Sequence, residues 1–213
     1  MSFVVYLSFY LQKIEFMKKS VLFLLFIVAF GCTSHDSKLV TIGEVPKFSL
    51  TNQHNQTVTN DTYKGKVYVA EFFFTSCPSI CPIMTKNTVK IQNTFPNEDR
   101  LGFASFSINP DFDTPEILKS YADVQGIKSP NWHLLTGEED TIYDLANEGF
   151  NLHAKVDDSA EGGFEHSGLF ALIDTNGNIV SRKDANGNPI IYYNGLDQEH
   201  IKMLIEDIQF LLQ

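Results

Sequence analysis

Apolar residues along the chain gather into three nearly continuous runs. Residues 67–74 read VYVAEFFF, residues 101–108 read LGFASFSI and residues 168–174 read GLFALID. Unbroken apolar runs of this length predict central strands covered on both faces. Residues 45–50 alternate and predict a further strand. Residues 51–60, rich in Asn, Gln and Thr, predict a hairpin. NWHLL at 131–135 predicts a short strand, and 150–155 an edge strand. Mixed segments at 84–94, 116–125, 138–147 and 197–212 predict helices. Thr114 before Pro115 supplies the second helix with an N-cap and a proline at its first position, and Gly126 ends it. The third helix opens on acidic residues that suit the helix dipole. The last is amphipathic, with Ile201, Leu204, Ile205 and Ile208 on one side. Asn176-Gly177 turns the third apolar run into 179–182 as a hairpin, and 184–189 form a second turn. Strands alternating with helices, then a hairpin and a closing helix, predict one α/β domain: a mixed central sheet flanked by helices, with an added N-terminal β-hairpin.

The first 44 residues follow a different pattern. Met17 is followed by Lys18 and Lys19, then by an apolar run at 21–30 (VLFLLFIVAF) and by Gly31-Cys32. Ten apolar residues are too few to span a bilayer as a helix and suit the apolar region of an export signal. The arrangement resembles a bacterial lipoprotein signal, which implies that Cys32 is lipidated and becomes the new N-terminus. An ordinary signal peptide and an uncleaved anchor are the alternatives, and Phe30 is bulkier than a lipoprotein signal normally carries there. Met17 is the expected start, since it places the lysines at the extreme N-terminus. This divides the chain into a leader at 1–32, a tether at 33–44 and a folded domain at 45–213. The domain is then exported to the bacterial cell envelope and membrane-anchored, facing away from the cytoplasm, where disulfides persist.

Composition adds two constraints. Eighteen phenylalanines provide for a packed interior. A net charge of −10 argues against a general affinity for nucleic acid, which depends on Lys and Arg contacts to phosphates.

The candidate chemistry lies just past the first apolar run. Cys77 and Cys81, in CPSICP, stand one residue further apart than a C-x-x-C redox pair. They sit where a strand hands over to a helix, whose free N–H groups and partial positive charge favour a thiolate. A bridge across three residues closes too little chain to stabilise much, so a purely structural disulfide is the lesser reading. The pair can cycle between dithiol, disulfide and metal-bound forms. Any further metal donor would come from a histidine. His35 falls in the tether, His54 in the polar hairpin, His133 in a short strand, His153 in a candidate edge strand and His200 on the last helix. Each has an ordinary explanation as a solvated or half-buried residue. His166 lies in GGFEHS, a glycine-containing loop that feeds directly into GLFALID. That loop reaches the cysteines only if the strand it feeds runs antiparallel to the cysteine-bearing strand.

Three motifs in order resemble the Sco/SenC family of thioredoxin-fold copper proteins. They are Cys77-Pro78-Ser79-Ile80-Cys81-Pro82, then Ser107 to Pro115 (SINPDFDTP), then Glu165-His166-Ser167 before a strand ending Ile173-Asp174. Asn109 stands where the family has aspartate, which removes an acid role there, whereas Asp113 keeps its match. The resemblance runs from Val45 to Leu212. It implies a thioredoxin-like fold and one copper ion, Cu(I) or Cu(II), held by Cys77, Cys81 and His166. It further implies a metallochaperone that passes copper to an oxidase subunit during cytochrome c oxidase assembly, with a disulfide between Cys77 and Cys81 in the oxidised form. The competing reading is a thiol–disulfide oxidoreductase in which Cys77 attacks and Cys81 resolves. A peroxide-reducing enzyme on the same fold is a third.

Overall fold

The computed structural model describes residues 38–157, 159–160 and 162–213. The expected leader with Met17 and Cys32, and residues 33–37 of the expected tether, including His35, lie outside the described residues.

In chain order the strands are β1 Leu39–Glu44, β2 Ser49–Asn52, β3 Thr57–Thr59, β4 Val67–Phe73, β5 Leu101–Ser107, β6 Trp132–Thr136, β7 Ala154–Val156, β8 Phe164–His166, β9 Leu169–Ile173, β10 Asn178–Arg182 and β11 Tyr193–Asn194. The helices are α1 Cys81–Thr94, α2 Pro115–Gln125, α3 Glu139–Asp144 and α4 Gln198–Leu211. The main sheet runs β1-β10-β9-β4-β5-β6-β2-β3, with β11 pairing onto β9. β4, β5 and β6 are parallel, while β9 runs antiparallel to β4. The sheet is therefore mixed and flanked by helices, as the order of apolar runs predicts, and β2–β3 supply the N-terminal hairpin.

The three apolar runs lie side by side at the centre. Every residue of β4 and β5 is buried, which is why neither strand alternates. On one face Phe72 stacks on Phe106 at 5.2 Å, and Phe150 closes over both. On the other, Phe73 meets Tyr121 of α2. Burying such a ring contributes roughly 1.5–3 kcal/mol. Met84 and Ile91 of α1 and Ile201, Leu204 and Ile208 of α4 are fully buried. Asp207 of α4 accepts hydrogen bonds from Arg182 Nε at 2.6 Å and Tyr193 hydroxyl at 2.7 Å, tying β10, β11 and α4 together. No helix among the described residues is long and apolar enough to cross a membrane.

Several boundaries differ from the sequence pattern for identifiable reasons. Residues 39–44, read as part of a tether, form β1, because their backbone pairs with the open edge of β10. The strand expected at 45–50 begins only at Ser49. Before it, Asn60 takes over the backbone, accepting from Phe48 N–H and donating to the Pro46 carbonyl, both at 2.9 Å. The third helix gives way at Leu145 to a π-turn ending at Gly149. The edge strand expected at 150–155 narrows to β7, which pairs with β8 in a separate two-stranded ribbon. The segment holding His166, expected as a loop, ends in β8.

Candidate metal centre

The site is built at the C-terminal end of β4. Cys81 is the first residue of α1, with Pro82 in the first turn, where its missing N–H costs nothing. The helix therefore starts three residues earlier than the sequence pattern suggests. Cys77 lies before it, in a turn closed by Cys77 N–H donating to the Phe74 carbonyl. Cys77 Sγ accepts the N–H of Cys81 at 3.5 Å, so the sulfur occupies the amide end of the helix.

His166 reaches the same point from the neighbouring strand β9, which it precedes. Because β9 is antiparallel to β4, the turn at Ser167–Gly168 that begins β9 falls beside the end of β4. His166 Nε2 lies 3.1 Å from Cys81 Sγ. Its Nδ1 is 3.1 Å from the Ser167 carbonyl, which can only accept. Nδ1 therefore carries the proton, and the Nε2 lone pair faces the sulfurs, the orientation a metal ligand needs. The donor atoms of Cys77, Cys81 and His166 all lie within 4.8 Å of one another, and all three residues are buried. Phe74 stands edge-on to the His166 ring and packs on Phe164 of the ribbon. A cavity of about 180 Å³ opens beside the cluster, lined by Cys77, Ile80, Phe164 and His166 among others. Gly162, at φ +89°, lets the ribbon close on the cysteine turn, since a Cβ there would meet the Phe74 ring at 3.0 Å and Pro78 at 3.1 Å.

The two thiols are inequivalent. Hydrogen bonds from the Cys81 thiol and from the Cys81 and Ser79 amides pull Cys77 down to about 3, against its burial. Donating to Cys77, and burial, push Cys81 well up. Cys77 is thus the thiolate and Cys81 the protonated partner. The other described histidines do not join them. His133 bonds Asn52 at 3.1 Å, His153 lies 3.8 Å from Glu165, His200 accepts the Asn194 amide and His54 is exposed.

Two carboxylates behind the site escape a reading based on thiols and imidazoles. Asp113 is fully buried and accepts from Thr75 and Ser107. Glu71, in the middle of β4, is buried with Oε1 bonded by Ser105 and Oε2 without a partner. An acidic residue inside an otherwise apolar strand run was the available signal. Burial raises Glu71 from 4.5 to about 7, against the opposing bond from Ser105. A carboxyl whose folded value lies above its unfolded value keeps its proton after the unfolded chain has lost it. Stability therefore falls as pH rises from about 4.5 to about 7, then levels off. Glu71→Gln removes this slope. Denaturant titrations are expected to show it gaining on the order of 2–3 kcal/mol over the parent between pH 5 and pH 8. Parallel curves for the two proteins would show that Glu71 ionises normally.

Comparison with known proteins agrees with these observations. The family described as SCO1/SenC matches residues 40–199. A SCO1 protein homolog of Bacillus subtilis (strain 168) is 31% identical over 166 residues, covering 77% of this chain and 84% of its own. The crystal structure of a SCO1/SenC family lipoprotein from Bacillus anthracis str. Ames superposes with a TM-score of 0.71 at 31% identity, covering 83% of this chain and 99% of that one. BsSco superposes at 0.67 with 28% identity, covering 81% and 96%. It is described as a member of the Sco family of cytochrome c oxidase assembly proteins with a disulfide switch. The mixed sheet with its flanking helices is thus the thioredoxin-like fold of Sco proteins.

Proposed function

This chain belongs to the SCO1/SenC family, and from that membership we propose that it is a copper-binding metallochaperone that helps to assemble the copper site of a cytochrome c oxidase. The observation that carries this reading is the meeting of two sulfurs and one imidazole, far apart in sequence, within 4.8 Å. Two soft thiolates favour Cu(I), and an imidazole extends the site to Cu(II). Three protein donors leave one side open, which suits capture and release better than the closed four-ligand shell of a structural zinc site.

Each residue has a distinct part in holding the cargo. Cys77 meets the metal already deprotonated. Cys81 gives up its proton as the metal binds, so loading releases a proton. His166 presents Nε2 with its other nitrogen fixed by the Ser167 carbonyl. The basic and apolar leader ending at Cys32 supports export to the bacterial envelope and anchoring by lipid, and the Bacillus anthracis relative is itself called a lipoprotein.

The depressed Cys77 thiol also suits a second reading, a reductase that attacks a partner's disulfide with Cys77 and resolves with Cys81. A transfer assay separates the two. Reduced chain loaded with Cu(I) is mixed with the metal-free copper-accepting domain of an oxidase subunit. Movement of one copper per chain to the acceptor is expected. Copper that stays put, while the metal-free reduced chain rapidly reduces the acceptor's disulfide, would favour the reductase.

A further inference from the structure

We propose that Asp113 is a positioning residue, which holds the Cys77 turn in register with Cys81 and His166 by clamping Thr75. Its carboxylate is fully buried. Oδ2 accepts the Thr75 backbone N–H at 3.0 Å and the Ser107 hydroxyl at 2.5 Å, and Oδ1 accepts the Thr75 hydroxyl. One carboxylate thus joins three pieces of chain: the end of β5 at Ser107, the turn before α2 and the segment leaving β4. The turn itself is fixed to Asp113, whose N–H donates to the Asn109 carbonyl at 2.9 Å. Ser107 also accepts the Asn109 amide at 3.2 Å.

Thr75 lies two residues before Cys77, in a segment with few other anchors. On its far side the turn is held by Cys77 N–H to the Phe74 carbonyl and by Cys81 N–H to the Cys77 sulfur. The clamp on Thr75 completes the frame. All three donors are neutral, so the buried side chain is held by hydrogen bonds alone, an arrangement that fails sharply when one partner is removed. An amide at position 113 keeps the shape but turns donors toward donors. Only one acceptor oxygen remains, so the bonds to Thr75 and Ser107 can no longer all form as they stand, and Cys77 wanders relative to Cys81. Loosely held thiols form a disulfide less readily and hold a metal less well, because ordering the turn is charged against each event.

This inference concerns the site of the proposed function, but its main readout needs no copper and stands or falls separately. The pair is equilibrated with reduced and oxidised glutathione. The Cys77 and Cys81 thiols give two protons and two electrons to glutathione disulfide, which leaves as two glutathione thiols. Asp113→Asn in the full chain is expected to lower the equilibrium constant for disulfide formation about tenfold, equivalent to about 30 mV for this two-electron couple. Asp207→Asn, which removes a buried carboxylate bonded to Arg182 and Tyr193 and not to the cysteine turn, serves as the structural control. It is expected to lower the melting temperature while keeping the constant within about twofold of the parent. Should Asp113→Asn fail to fold, Thr75→Val, which deletes only the hydroxyl bond, is expected to shift the constant about threefold in the same direction. An unchanged constant in the variants at the clamp, or an equal shift in Asp207→Asn, would overturn the proposal. If the constant shifts but neither parent nor variant binds copper, the clamp stands and the copper reading fails.

Discussion

Replacing His166 with alanine is expected to weaken Cu(II) binding at least about 100-fold, roughly 3 kcal/mol, and Cu(I) binding by about tenfold. The asymmetry follows from the donors. Cu(I) is content with two soft sulfurs, and Cys77 and Cys81 remain. Cu(II) loses the one donor of the set that suits it. Disulfide exchange should survive, since the strongest bond lowering the Cys77 thiol comes from Cys81 and not from the imidazole. Competition titrations against a chelator of each ion, run beside a glutathione exchange assay, measure all three quantities. Equal losses for both ions with exchange abolished would mean that His166 merely supports the thiols.

Oxidising the chain is expected to abolish copper binding, a larger effect than any single ligand change short of removing a cysteine. A sulfur in a disulfide has no thiolate to offer, so forming Cys77–Cys81 removes two of three donors at once. The sulfurs already lie within 4.8 Å, so closure asks for little movement of the chain. The order of events is set by the inequivalence of the thiols. Cys77, held as thiolate, attacks the external oxidant, and Cys81 then loses its proton and displaces the leaving group. Titrating reduced and oxidised chain in parallel checks this, with added dithiol reductant expected to restore one copper per chain. Undiminished binding by fully oxidised protein would leave no role for the sulfurs.

The centre of the fold was legible because it is buried on both faces. The apolar runs at 67–74, 101–108 and 168–174 mark β4, β5 and β9, whose burial leaves no room for alternation. The cysteine pair announced itself by position at the end of the first run. His166 entered the set through the resemblance to the Sco/SenC family; its place before the third run counts only if that strand runs antiparallel to β4, which spacing alone does not carry.

 

The edges were less legible, because their pairing depends on distant partners. Residues 39–44 become a strand only through β10, near the other end of the chain. β8 and β11 span three and two residues, too few for any period to show. Asp113 matched a motif, but its bonds to Thr75 and Ser107 depend on a fold that brings three loops together.

Copper K-edge X-ray absorption on the reduced, Cu(I)-loaded chain and on its His166→Ala variant tests the central claim most directly. Two sulfur donors and one imidazole nitrogen are expected in the parent, with the nitrogen lost and both sulfurs kept in the variant. A copper site with the same donors in both proteins, or one lacking either sulfur in the parent, would contradict the assignment of Cys77, Cys81 and His166 as the ligands.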